Sequence, residues 1–141
     1  MNWKNEVIYH LKNYTANKNA VTNLDERLKT KETQKYSLKG QNAEDVRVQN
    51  GAKADTLLNI IVECEEIKKQ INDLKYEIKW VEKGLKYLDD TELQCITEFY
   101  INNNIHAIYV LAKQLNYSNG HIYRIRNDAL NKLVMNMYGN C

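Results

Sequence analysis

The stretch N-I-H-A-I-Y-V-L-A-K-Q-L-N-Y-S-N-G-H-I-Y-R-I-R-N-D-A-L-N-K-L-V, from Asn104 to Val134, decides the fold of this chain. It reads as two helices meeting at a tight turn. In the first, Ile108, Leu111, Ala112 and Leu115 recur at helical spacing and build one apolar face. Asn116 then stands where a helix end wants a left-handed residue, a conformation that asparagine tolerates better than most. Ser118 follows as a good N-cap, its hydroxyl able to accept from the free backbone N–H groups of the next turn. Ile122, Ile125, Ala129, Leu130 and Leu133 mark the buried face of the second helix. His121, Tyr123, Arg124 and Arg126 are left to project elsewhere. The small Ala112 is expected where the two helices approach closely.

A helix, a short turn and a second helix with a polar, basic leading face is the plan of a helix-turn-helix DNA reader. The residues also carry a more specific likeness. Leu111-Ala112-Lys113-Gln114-Leu115-Asn116-Tyr117-Ser118, then Ile122-Tyr123-Arg124 and Ala129-Leu130-Asn131-Lys132-Leu133, resemble the fourth conserved region of bacterial sigma factors. Asn116 stands where that region usually has Gly, and Val110 where it often has an acid. The layout of the whole chain resembles the small phage-encoded late-gene transcription regulators of the RinA/ArpU/LtrC type.

Upstream, Leu57, Ile60, Cys64, Ile67, Ile71, Leu74, Ile78, Val81, Leu85 and Leu88 alternate by three and four. At about 1.5 Å per residue that seam is ~47 Å long, and the faces around it are filled with Lys and Glu. A seam this narrow cannot bury itself and must pack on another helix. Val7, Leu11, Tyr14, Lys18, Val21, Asp25 and Leu28 form a weaker stripe over residues 2–34, interrupted at Lys18 and Asp25. That helix needs a partner too. The two stripes predict an antiparallel helical hairpin, or else self-association across two chains. Between them, residues 36–54 read as a loop bracketed by Gly40 and Gly51. Trp80, Tyr76 and Tyr87 near the seam read as packing and flanking residues.

Leu88-Asp89-Asp90-Thr91-Glu92-Leu93 is a junction, with Asp90 or Thr91 able to cap a fresh helix. Leu93, Ile96, Phe99 and Tyr100 then give a short amphipathic helix ending at Asn102-Asn103-Asn104, the first helix of a trihelical unit. The L-D-D-x-E pattern here is also similar to the phage regulators and sigma factors. The expected fold is all-α: a helical hairpin (antiparallel coiled coil) over 1–88, with its loop near 36–54, followed by a sigma-region-4-like helix-turn-helix domain over 89–141. The C-terminal domain is expected to be complete in itself, so that a fragment starting near Leu88 folds at least marginally.

Composition bounds the rest. The chain has 141 residues, no proline and five glycines, which permits long helices. Its formal net charge of +2 says little overall, but the charge is not evenly spread. From Asn102 to Cys141, Lys113, Arg124, Arg126 and Lys132 stand against the single acid Asp128; from Ala54 to Asp90, six lysines face nine acids. The basic excess lies where a DNA reader would need it. No apolar run approaches the ~20 residues of a membrane span, and no signal-peptide core is seen at the N-terminus. Cys64, Cys95 and Cys141 have neither pairing nor metal-ligand spacing, as expected of reduced thiols in a cytoplasmic protein.

No metal or cofactor site is expected. Nor is an enzyme, since there is no glycine-rich phosphate loop and no placed nucleophile, base and acid. Asn119, Gly120, His121 and Arg124 are the residues expected nearest base edges; Lys113, Tyr123 and Arg126 are expected on phosphates, the two arginines being open to exchange, with Ser118 a cap first and a phosphate donor second. The expected function is sequence-specific regulation of transcription through double-stranded DNA, with a homodimer as one arrangement. What the resemblance implies further is activation of phage late genes with bacterial RNA polymerase as partner. Two other classes fit the same features: the DNA-recognition subunit of a phage packaging terminase, and a coiled-coil interaction protein that does not bind DNA.

Overall fold

A computed structural model describes residues 2–39 and 50–139, and the described residues are mostly helical, without a strand. Helix α1 spans Trp3–Lys39 and α2 spans Asn50–Leu85. After a short junction come α3 (Asp90–Ile96), continued by a π-helical turn over Thr97–Ile101, then α4 (Ala107–Leu115) and α5 (Asn119–Tyr138). None of these helices is long and apolar enough to cross a membrane. The two long helices take in both ends of the segment read as a loop: Tyr36 to Lys39 complete α1, and α2 already begins at Asn50. Nothing at Tyr36-Ser37-Leu38-Lys39 breaks a helix, and α1 simply runs on. The remainder of that segment, 40–49, lies outside the described residues, as does Cys141.

The residues group into two compact units, and the division does not fall at residue 88. One unit is made of residues 19–39 and 50–75; the other joins residues 2–18 to residues 76–139. In the first, Ile60, Cys64, Ile67 and Ile71 of the α2 seam are buried, and Val21, Leu24 and Leu28 of α1 are half-buried. Lys31 Nζ lies 2.6 Å from Glu63 Oε2 in the same unit, and that lysine holds the Glu63 carboxyl below its ordinary range.

The second unit has two apolar clusters. Cys95, Ala107, Leu111 and Ile122 form the one between α3, α4 and α5, edged by Phe99, Ile108, Leu115 and Ile125. Ala112, expected at the closest approach of two helices, is only half-buried; the small residue inside the cluster is Ala107, 1 % exposed. The other cluster continues that face along the C-terminal half of α5. There Ala129, Leu130, Leu133, Val134 and Met137 meet Val7 and Leu11 of α1, Val81 of α2 and Ile96 of α3. A C-terminal domain complete in itself is therefore not what packs: α5 carries more apolar surface than α3 and α4 cover, and the first turns of α1 and last turns of α2 close it.

Aromatic and polar contacts reinforce that closure. Trp80 Nε1 donates to the Met137 carbonyl at 3.2 Å, satisfying an acceptor in the last turn of α5. The Trp80 ring stands edge-on to His10 (4.9 Å) and Tyr138 (5.0 Å), while Trp3 lies 4.7 Å from Tyr138. Tyr76 and Tyr87, by contrast, are exposed. The Tyr14 hydroxyl donates to Glu82 Oε1 at 2.9 Å. Burial, then that carboxylate, pushes its pKa up to about 12, so it remains a donor at neutral pH.

Gly84 is buried where α2 meets α5. A Cβ added there would sit 2.8 Å from Met137 Cγ and 3.3 Å from Leu133 Cδ2. Alanine needs a shift of the flexible methionine and a small one of Leu133, but a branched side chain has nowhere to go. Gly84→Val is expected to destabilise the chain by about 1–3 kcal/mol through overpacking, read as a lower denaturant midpoint; an unchanged midpoint would mean that this contact yields freely.

Asp89, rather than Asp90 or Thr91, caps α3. Its Oδ1 accepts from the Glu92 N–H at 2.8 Å, and Glu92 Oε1 accepts in return from the Asp89 N–H at 3.2 Å, a complete capping box. Glu92 is only 5 % exposed, and it also accepts from Lys132 Nζ of α5 at 2.7 Å. The Glu92 N–H, foremost, holds the Asp89 carboxyl below its ordinary value of 3.8. A folded pKa lower than the unfolded one contributes stability that is complete above 3.8 and is lost as pH falls through the folded value. Asp89→Asn keeps a capping oxygen but cannot titrate. Its melting temperature is expected to fall less steeply than the parent's below pH 3.8; parallel acid profiles would remove the cap from the account.

Candidate nucleic-acid interface

The turn between α4 and α5 is built as its residues demand. Asn116 takes φ 58° and ψ 41°, the left-handed conformation that ends α4. Ser118 is extended, and its Oγ accepts from the His121 N–H at 3.2 Å to open α5. The Tyr117 ring stands edge-on to His121 at 4.6 Å, across the capping serine. The cap leaves the first turn of α5 uncovered: Asn119, Gly120 and His121 are all exposed, as is Arg124 one turn on. Lys113, in the last turn of α4, is exposed as well.

Gly120 adds a pointed detail. A Cβ built on it meets nothing within 4 Å. No packing requires a glycine here, and glycine weakens a helix; what its absence of a side chain does is leave the backbone bare at the start of α5. From Ser118 to Asn127 the chain carries no acid, the next being Asp128. The exposed surface from Asn119 to Arg124 thus offers hydrogen-bond donors and positive charge with no carboxylate among them. No protein-family model, curated protein or solved structure matches the chain.

The structure separates the two arginines. Arg124 is exposed, whereas Arg126 is half-buried. Side chains two residues apart on a helix point about 200° apart, so the pair cannot share one face. Arg126 turns back across α5, and its Cζ lies 4.9 Å from the ring centres of both Phe99 and Tyr123. Tyr123 itself is 40 % exposed, at the edge of the same surface. Lys132, part of the basic excess counted from the sequence, is engaged by Glu92 and leaves less free charge than that count suggests.

Two further residues belong beside those expected from the sequence. Asn127 is exposed three positions beyond Arg124, on the face that carries Gly120 and Arg124. That four-then-three spacing was a signal available in the sequence. Phe99 has no such signal, because only the π-helical turn brings its ring against Arg126. Among the described residues no group of three His, Cys, Asp or Glu could hold a metal ion.

Proposed function

We propose that this chain is a sequence-specific DNA-binding transcriptional regulator, with α4 and α5 forming a helix-turn-helix whose second helix enters the major groove. The observation that carries the reading is the first half of α5: capped by Ser118, bare at Gly120, exposed through Asn119, His121, Arg124 and Asn127, and free of acids up to Asn127. Arg124 and Asn127 suit base edges, since arginine pairs with guanine and asparagine with adenine in the major groove. Lys113 suits a phosphate. Ser118 is engaged as a cap, and a hydroxyl that already accepts can still donate to a phosphate oxygen.

The two long helices complete the reading as an antiparallel hairpin. In one unit Tyr14 meets Glu82 and Asn17 meets Glu77, so contacts advance along α1 as they retreat along α2. This pairing within one chain supports the hairpin as the cover for the C-terminal end of the α2 seam. The resemblance to phage late-gene regulators extends the proposal to a cytoplasmic activator that works with bacterial RNA polymerase. Footprinting of the purified protein on DNA flanking its own gene tests the core of it. A discrete protected site that weakens steeply with salt is expected; the absence of any salt-sensitive binding would overturn the reading.

A further inference from the structure

We propose that Arg126 is a pre-shaped clamp for one DNA backbone phosphate, and that Phe99, which lies outside the helix-turn-helix, is the residue that positions it. The inference rests on the DNA-binding reading above and extends it to a contact made from behind the recognition helix. Arg126 leaves α5 on its inner side, yet it is not used as inner arginines usually are. Among the described residues it makes no ion pair, and its Nε is buried without a hydrogen-bond partner. A buried, unsatisfied guanidinium N–H is costly unless something compensates it or a ligand completes it.

What holds the group is a platform of rings. Phe99 and Tyr123 lie 6.2 Å apart, inclined at 39°, and the guanidinium carbon rests 4.9 Å from each. Cation–π attraction fixes the side chain without using its hydrogen-bond donors, because a ring face takes the charge and leaves the N–H groups free. A carboxylate partner would have consumed that capacity. Phe99 reaches this position because the chain winds as a π-helical turn over Thr97–Ile101, closed by the Asn102 N–H donating to the Thr97 carbonyl at 2.8 Å. Such turns are uncommon inside helices and recur where a side chain must be re-aimed for function. Tyr123, half of the platform, is also at the exposed edge of the candidate interface, so the guanidinium stands one ring behind that surface. An arginine with its fork held by rings and without a carboxylate partner matches the bidentate chemistry of a phosphate.

The test is a double-mutant cycle in the full chain, with affinity for the footprinted DNA measured across a range of salt. Arg126→Met keeps the apolar stem and removes the charge. It is expected to weaken binding roughly tenfold or more, the worth of a charge-assisted hydrogen bond, and to lower the slope of log affinity against log salt by about one. Phe99→Leu is expected to weaken binding about two- to twelvefold, the cost of immobilising one rotamer-rich side chain at binding. Phe99→Tyr, which keeps the ring, should bind like the parent. The double variant should bind no more weakly than Arg126→Met alone, because an unoccupied platform has nothing to position.

Phe99→Leu that melts lower but binds like the parent, or losses that simply add, would overturn the clamp and leave Arg126 a packing residue. An unchanged salt slope in Arg126→Met would do the same. Arg126→Lys keeps the charge without the planar fork, and is expected to restore the slope but not the affinity; it also guards against misfolding of the methionine variant. No DNA binding by the parent would instead overturn the functional reading itself, a result distinct from all of these.

Discussion

Leu11→Ala is expected to destabilise the unit that carries α5 by about 2–5 kcal/mol, although Leu11 belongs to the first helix of the chain. The side chain is 0 % exposed, in the cluster where Val7 and Val81 meet Leu133, Val134 and Met137. Truncation there removes buried methyl groups and leaves a cavity that straight, mutually packed helices cannot easily collapse. Urea unfolding followed by circular dichroism reads the effect as a lower midpoint, and DNA binding should weaken as α5 loses its support. The same packing gives a fragment beginning at Asp89 a definite fate. It lacks Val7, Leu11 and Val81, exposes the C-terminal half of the apolar face of α5, and should show no cooperative melting transition of its own. A fragment that melts cooperatively near the temperature of the whole chain would show that the shared cluster adds nothing.

Arg124→Ala is the variant expected to change function most while leaving the fold alone. The side chain is exposed on α5, beyond both apolar clusters, so removing it should leave the denaturant midpoint within about 0.5 kcal/mol of the parent. If it reads a base edge, binding to the footprinted site should weaken by about 1–3 kcal/mol and discrimination at one base position should relax. Lys113→Ala makes the contrast, since a phosphate contact should lower affinity evenly across sequences and reduce the salt slope by about one. Titrations on the site and on single-base variants of it, at matched salt, separate the two. Unchanged affinity and unchanged discrimination in Arg124→Ala would take that arginine out of the recognition surface.

Several elements of this chain were legible in its sequence because local chemistry announces them. The three-and-four alternation from Leu57 to Leu85 marks α2, and Ile60, Cys64, Ile67, Ile71 and Val81 are buried as that period requires. Asn116 and Ser118 announce the turn before α5, since a left-handed asparagine and a capping hydroxyl act on their own neighbours. The cap of α3 was missed by one residue. Asp89, Asp90 and Thr91 are all competent caps, and the choice fell to the one whose partner three positions on is Glu92.

Tertiary packing decided everything that depends on which face meets which. A heptad pattern says that a face is buried, not what buries it, and so the C-terminal half of the apolar face of α5 gave no warning that it closes on Val7, Leu11 and Val81. The same limit applies to Arg126. Its spacing from Arg124 is enough to put the two on different sides of a helix, but the rings beneath it come from two elements, Phe99 of the π-helical turn and Tyr123 of α5. Helical periodicity reports the neighbours a residue has three and four positions away, because those are the ones its own backbone brings near. Contacts between distant segments depend instead on which helices pack together, and that is set by burial summed over the whole unit.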